Sequence, residues 1–183
     1  IGCGFGSFIR EVKKLGYDFV KGIDISEQAI EYAIKQNFDV QKASIKEFSD
    51  QSDKKFDFII MSHVLEHINK DEIIETLNLI AKNLLNENGK FCLMVPNAQS
   101  NTGSYWAYED FTHTILFTSG SLLYVLKAAG FKKIKFLDPD GTENSAGFSK
   151  ILQKFFLLFY KLKKLFWNKI TSSSYHEKSP NIF

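Results

Sequence analysis

The chain has 183 residues, 44% hydrophobic and 24% charged, which suits one globular domain able to bury a core without metal or disulfide help. Its 23 lysines and arginines against 21 aspartates and glutamates leave a formal charge of +2, too even to argue for a nucleic-acid partner. Cys3 and Cys92 fall in no CxxC or Cys/His pattern, so no structural zinc or disulfide framework is expected, and no apolar run reaches membrane-spanning length.

Short apolar runs alternate with helical patterns through the first half, as parallel βαβ units require. Ser7 to Leu15 reads as a helix with Phe8, Ile9, Val12 and Leu15 on one stripe, closed by Gly16. Phe19 to Ile25 reads as a strand, after which Ser26 caps a helix running to Gln36. Val40 to Lys42 is a short strand, and the continuous apolar run Phe56 to Met61 a buried one. Asp71 to Leu85 carries Ile73, Ile74, Leu77, Ile80, Ala81 and Leu84 at helical spacing. Asn86 to Gly89 is a turn, and Phe91 to Val95 a strand ended by Pro96. The aromatic, polar stretch from Asn97 to Phe117 has weak periodicity. Ser119 to Ala129 is a helix with Gly130 beyond its end, and Phe131 to Leu137 a further strand.

The tail differs in character. From Lys150 to Ile170, Ile151, Phe155, Leu158, Phe159, Leu162, Leu165 and Phe166 share one side of a helix, with Lys154, Lys161, Lys163 and Lys164 largely on the other. Such a basic amphipathic helix fits an anionic membrane surface, or a homodimer contact or lid with solvated lysines. The division is a core at 1–148, with the acceptor-site segment 97–117 inside it, and a helix and tail at 149–183.

Gly2-Cys3-Gly4-Phe5-Gly6 is a GxGxG loop running straight into a helix. Glycines let backbone amides approach a ligand without a Cβ between them, and the helix N-terminus beyond suits an anion. Asp24 follows Gly6 by eighteen positions (24 − 6) at the end of the next strand. A carboxylate there can accept from an adenosine ribose, at close to the roughly 20-residue spacing of dinucleotide folds. The plainer alternative is that Asp24 only caps the following helix. A dinucleotide fingerprint would need glycine at position 7, where Ser7 stands, so pyrophosphate binding has no distinct support.

These residues resemble a known family. Ile1-Gly2-Cys3-Gly4-Phe5-Gly6 is similar to the first motif of class I S-adenosylmethionine-dependent methyltransferases, and Gly22-Ile23-Asp24-Ile25-Ser26 to their ribose-binding strand end. Phe56 through Ile68, with its Leu65-Glu66-His67 helix start, resembles their fourth-strand motif. Leu84 through Lys90 and Val95-Pro96-Asn97 resemble the turn and fifth strand. More loosely, Asp110-Phe111-Thr112-His113, Phe117-Thr118 and Ala129-Gly130-Phe131 resemble bacterial members acting on sugars of surface polysaccharides or on secondary metabolites.

The resemblance implies a Rossmann-like, doubly wound α/β fold with a mostly parallel sheet. It also implies S-adenosylmethionine as cofactor, held by Gly2, Cys3, Gly4, Phe5, Gly6, Asp24, Ile25, Ser44, Ile45, Ser62 and His63. The first and last strands look truncated: none precedes Ile1, and Asn181-Ile182-Phe183 would begin the last. One departure is Ser44, which stands where the family often places an acid towards the adenine amino group. Its hydroxyl could accept one hydrogen bond and the Ile45 amide donate another.

Methyl transfer from a sulfonium is an in-line displacement in which positioning does much of the work. A hydroxyl acceptor also needs a base, and histidine suits that role. His113, in the aromatic segment with Tyr105, Trp106, Tyr108 and Phe111, is the first candidate, against a structural loop histidine. His63 follows the buried strand and is the second; His67 reads as structural, and His176 is given no role. Where exocyclic-amine methylases of nucleic acids carry Asn/Asp-Pro-Pro-aromatic, this chain has Ser62-His63-Val64-Leu65, so no nucleic-acid partner is expected. No metal cluster is evident. The expectation is a cytoplasmic or membrane-associated O-methyltransferase for a sugar or other small hydroxylated acceptor. The alternatives are a non-catalytic cofactor-binding partner subunit and, less favoured, an NAD-dependent oxidoreductase.

Overall fold

The computed structural model describes residues 1–100, 103–137 and 145–170. Strands and helices alternate as the apolar pattern requires: α1 Ser7–Lys14, β1 Lys21–Asp24, α2 Glu27–Lys35, β2 Asp39–Lys42, α3 Ile45–Gln51, β3 Phe56–Ser62, α4 Ile73–Leu79 and β4 Leu85–Met94. Three helices follow, α5 Gly103–Glu109, α6 Ser119–Ala128 and α7 Gly147–Ile170. β1 pairs with β2 and β3 with β4, both parallel, because each connection crosses over through a helix. Residues 1–3 lie between the two pairs: the Ile1 nitrogen donates to the Ile60 carbonyl at 2.8 Å and the Cys3 N–H to that of Ile23 at 3.0 Å. The glycine loop thereby opens at the carboxyl ends of β1 and β3, where ligands bind in open α/β sheets.

Local chemistry sets the helix starts. Ser26 Oγ accepts the Ala29 N–H and begins α2, as its position predicts. Ser44 and Glu47 form a capping box that starts α3, and Thr118 with Ser121 does the same for α6. One contiguous core gathers Ile23, Phe48, Met61, Leu65, Leu77, Ile80, Phe117 and Leu126. Each such side chain contributes about 1.5–3 kcal/mol by leaving water.

Several elements depart from the sequence reading. On α1 only Ile9 is buried, while Phe8 and Leu15 face solvent. The helix expected over 71–85 is built as a 3₁₀ turn Lys70–Glu72, α4, and a wider π-type turn Ile80–Leu84. The turn expected at 86–89 is a bulge inside β4: between the pairs Phe56–Leu85 and Phe58–Lys90, β4 advances five residues (90 − 85) and β3 two (58 − 56). α3 was not anticipated, although Ser44-Ile45-Lys46-Glu47 carries the capping-box spacing.

The expected strand Phe131–Leu137 forms no ladder. Phe131 and Ile134 instead pack on the core edge, and Phe131 stacks on Phe91 with ring centroids 5.4 Å apart. That segment thus gives its apolar groups to packing at a three-residue spacing, not to the period of two that pairing needs. The strand expected from Asn181 and the residue His176 lie outside the described residues. Among the described residues no helix is long and apolar enough to cross a membrane.

Candidate methyl-donor and acceptor site

Gly2, Gly4 and Gly6 all take left-handed backbone, at φ 66°, 49° and 81°. A Cβ on Gly2 would collide with Val64 Cγ2, so that glycine is required by packing. At Gly4 the same Cβ would meet no protein atom within 4 Å, so the space beside this amide is open to a ligand. Gly6 N–H bonds the Cys3 carbonyl at 3.0 Å, closing the loop at the start of α1. Burial, and then the Asp24 carboxylate, push the Cys3 thiol pKa up.

Asp24 does not cap α2, since Ser26 holds that position. Its Oδ2 accepts the Gly4 N–H and its Oδ1 the Ser26 N–H, each at 2.8 Å. A carboxylate has about four lone-pair directions, so two remain for the vicinal hydroxyls of a ribose. Asp24 therefore ties the glycine loop to the strand end. Beside it Ile25 is exposed, and Phe5 packs edge-on against Tyr32 with centroids 5.5 Å apart, so an apolar surface borders the carboxylate. Ser44 is used differently from the expectation: its Oγ accepts the Glu47 N–H at 3.2 Å and its N–H donates to Glu47 Oε2 at 2.8 Å. The residue is first of all the cap of α3, while Ile45 opens that helix with one of the early N–H groups that lack an intrahelical acceptor.

Past Ser62, the last residue of β3, the chain turns through His63 at φ 53°, an uncommon conformation for a non-glycine residue. The His63 N–H bonds the Met94 carbonyl at 3.0 Å, continuing the β3–β4 ladder into the turn. The His63 ring is largely exposed, with Nδ1 3.2 Å from Oε1 of the fully buried Glu66. The segment expected to line the acceptor site is fastened over this turn. Thr114 N–H donates to the Glu66 carbonyl at 2.8 Å, and Thr114 Oγ1 donates to the Ile68 carbonyl at 2.6 Å.

That fastening sets the His113 ring against the His67 ring, centroids 4.8 Å apart. Thr112 Oγ1 lies 2.8 Å from His67 Nδ1 and donates to Asp110 Oδ1 at 2.6 Å. The Thr112 hydroxyl and then its amide hold the Asp110 carboxyl below its ordinary pKa. His67 and His113 are thus neighbours although 46 positions apart (113 − 67), and His63 reaches the same Glu66 carboxylate. Glu66, Asp110 and Thr112 were given no role from sequence. The usable signal for Glu66 was its place in the Leu65-Glu66-His67 helix start, three residues after His63.

Fold, glycine loop and the acid at the neighbouring strand end together define a class I methyltransferase whose cofactor is S-adenosylmethionine. The family model described as a methyltransferase domain matches residues 1–135, and the chain belongs to that family. The nicotinamide alternative is thereby set aside.

An S-adenosylmethionine-dependent methyltransferase from Archaeoglobus fulgidus has TM-score 0.64 at 24% identity, over 90% of this chain and 76% of that one. A Thermotoga maritima methyltransferase, described as a possible histamine N-methyltransferase, gives 0.60 at 23%, over 73% and 62%. The plantazolicin methyltransferase BpumL, solved with S-adenosylhomocysteine, gives 0.54 at 24%, over 69% and 52%. At these identities the likeness is one of fold. The chain spans about three-fifths of the Thermotoga protein's length and about half of BpumL's. No curated protein matches the chain by sequence.

Proposed function

We propose that the enzyme transfers the methyl group to a hydroxyl of a sugar or another small hydroxylated acceptor, in surface-polysaccharide or secondary-metabolite synthesis. The observation that carries this reading is the His63–Glu66 pair at the carboxyl end of β3, 3.2 Å apart with Glu66 fully buried. A buried carboxylate that accepts from Nδ1–H orients the imidazole and leaves Nε2 as the base, as in hydrolytic triads. S-adenosylmethionine supplies an electrophilic methyl carbon. Gly4, Asp24 and Ile25 would hold and cover it, with Ile45 and the Ser44 hydroxyl proton towards the adenine. Of the two candidate bases this reading favours His63 over His113, which turns towards Glu66 and His67.

The test is methyl transfer to a panel of monosaccharides, phenols and amines, followed by S-adenosylhomocysteine release. Oxygen methylation of hydroxylated acceptors supports the reading, and exclusive turnover on amines overturns it. Tight cofactor binding with no turnover on any acceptor supports the non-catalytic subunit instead.

A further inference from the structure

The carboxylate of Glu66 has one oxygen that the mechanism above does not use. Oε1 faces His63, while Oε2 is buried with no hydrogen-bond partner. An ionised oxygen in that state is costly, and native folds rarely leave one so. Next to it stand His67 and His113, and one ligand-type atom from each of the three residues lies within 4.8 Å of the others. The surroundings also fix a tautomer. Thr112 has a single hydroxyl proton and gives it to Asp110, so His67 Nδ1 must be the donor to Thr112. The lone pair of His67 then sits on Nε2, and the Asp110–Thr112 pair supports the ring as outer-shell partners support metal-bound histidines.

We propose that Glu66, His67 and His113 bind a divalent first-row transition ion such as zinc or manganese. Two imidazoles and one carboxylate suit such ions, whereas magnesium and calcium prefer all-oxygen sites. Bonds of about 2.0–2.2 Å would draw the three groups closer than they stand, by rotation of the half-buried His67 and His113 rings towards the buried carboxylate. The cation would satisfy the orphaned Glu66 oxygen. It would keep open positions for an acceptor hydroxyl, whose proton it makes easier to remove. That last role rests on the methyltransferase reading above; the binding itself does not.

The test uses Co²⁺ alone as the probe, on the full chain stripped with chelator. One equivalent should bind and develop visible d–d absorption, and Zn²⁺ should displace it. His113→Ala and His67→Ala should abolish the absorption, and Thr112→Val should weaken Co²⁺ binding about 10- to 100-fold. Melting curves and S-adenosylmethionine titration check that each variant is folded and holds cofactor. Glu66→Gln is a secondary variant, because burial puts its folding at risk. Absence of Co²⁺ absorption in the wild type, or the same absorption in folded His113→Ala, overturns the site. Displacement of Co²⁺ by equimolar Mg²⁺ overturns the choice of ion. Methylation that survives complete metal removal leaves the enzyme assignment standing and overturns only the role of the cation.

A separate observation concerns α7. Its 24 residues contain no aspartate or glutamate and six lysines (Lys150, Lys154, Lys161, Lys163, Lys164 and Lys169), a charge of +6 against +2 for the chain, so the remainder carries −4 (2 − 6). Phe148, Ile151, Phe155, Leu158, Phe159 and Leu162 recur at helical spacing and are all more than half exposed. Lys150, Lys154 and Lys161 fall along one flank of that stripe, about 90–130° from its centre at 100° per residue. An apolar stripe flanked by lysines complements an anionic lipid surface, and the helix is too polar to span it.

We infer that α7 lies in the headgroup layer of an anionic membrane. The protein should float with vesicles containing phosphatidylserine and not with phosphatidylcholine alone, less so at high salt. Trp167 fluorescence should shift to the blue, and Lys154→Glu with Lys161→Glu, or Phe155→Glu, should remove binding. No flotation, or sedimentation as a dimer through α7 without flotation, overturns the inference.

Discussion

Removing the Asp24 carboxylate separates the loop tether seen in the structure from the proposed contact with the cofactor ribose. It accepts the Gly4 and Ser26 N–H groups, each at 2.8 Å, and the proposed cofactor role adds the ribose hydroxyls. A hydrogen bond to a charged acceptor is worth about 1.5–3 kcal/mol, so Asp24→Ala should weaken S-adenosylmethionine binding about 10- to 150-fold if the ribose term equals one such bond. Losing the tether to Gly4 adds to this, because the loop must then be ordered by the ligand. Asp24→Asn keeps one carbonyl oxygen and should fall between the parent and Asp24→Ala. Calorimetric titration with S-adenosylmethionine and S-adenosylhomocysteine reads the affinity, and a thermal melt reads the tether. An unchanged dissociation constant in a folded Asp24→Ala protein would refute the ribose assignment. A lower melting temperature with unchanged affinity would leave Asp24 a loop tether alone.

Gly4→Val should abolish cofactor binding in a chain that still folds, because its side chain would enter the open space beside the loop and strain backbone at φ 49°; normal titration of the variant would make the loop a mere turn. His63→Ala should leave cofactor affinity intact while lowering turnover about 10²–10⁴-fold, and full turnover in a stable variant would return attention to His113. Because the Cys3 pKa is raised, the thiol stays protonated near neutral pH. Iodoacetamide should therefore label Cys3 slowly there and faster only above the ordinary thiol range, and bound cofactor should protect it; rapid labelling at neutral pH contradicts the burial seen here. Leu77→Ala should cost about 2–5 kcal/mol of stability, read by denaturant unfolding, since Leu77 is fully buried in the core.

Local signals made the backbone frame of the candidate cofactor site legible in the sequence. Glycine spacing, a strand ending in Asp24 and the cap at Ser26 are short-range features, and each is built at or within a residue or two of the expected place. Chain order and alternation of apolar runs likewise determined the parallel βαβ arrangement, because only a crossover joins such strands. Periodicity failed where packing overrode it: Phe8 on α1 and Leu15 just past its end share a stripe but stay exposed among the described residues, and 131–137 packs without pairing.

The histidine cluster of the candidate acceptor site was decided by tertiary structure. His67 and His113 are 46 positions apart (113 − 67), and no spacing rule joins them. Thr114, bonded to the backbone of Glu66 and Ile68, brings the two rings together. Glu66 is the sharpest case. In sequence it is an ordinary glutamate beside a histidine; the tertiary fold buries it completely, leaves one carboxylate oxygen without a partner and turns an acidic side chain into a candidate ligand. Sequence carries what the backbone does over a few residues, whereas desolvation depends on what the rest of the chain lays on top.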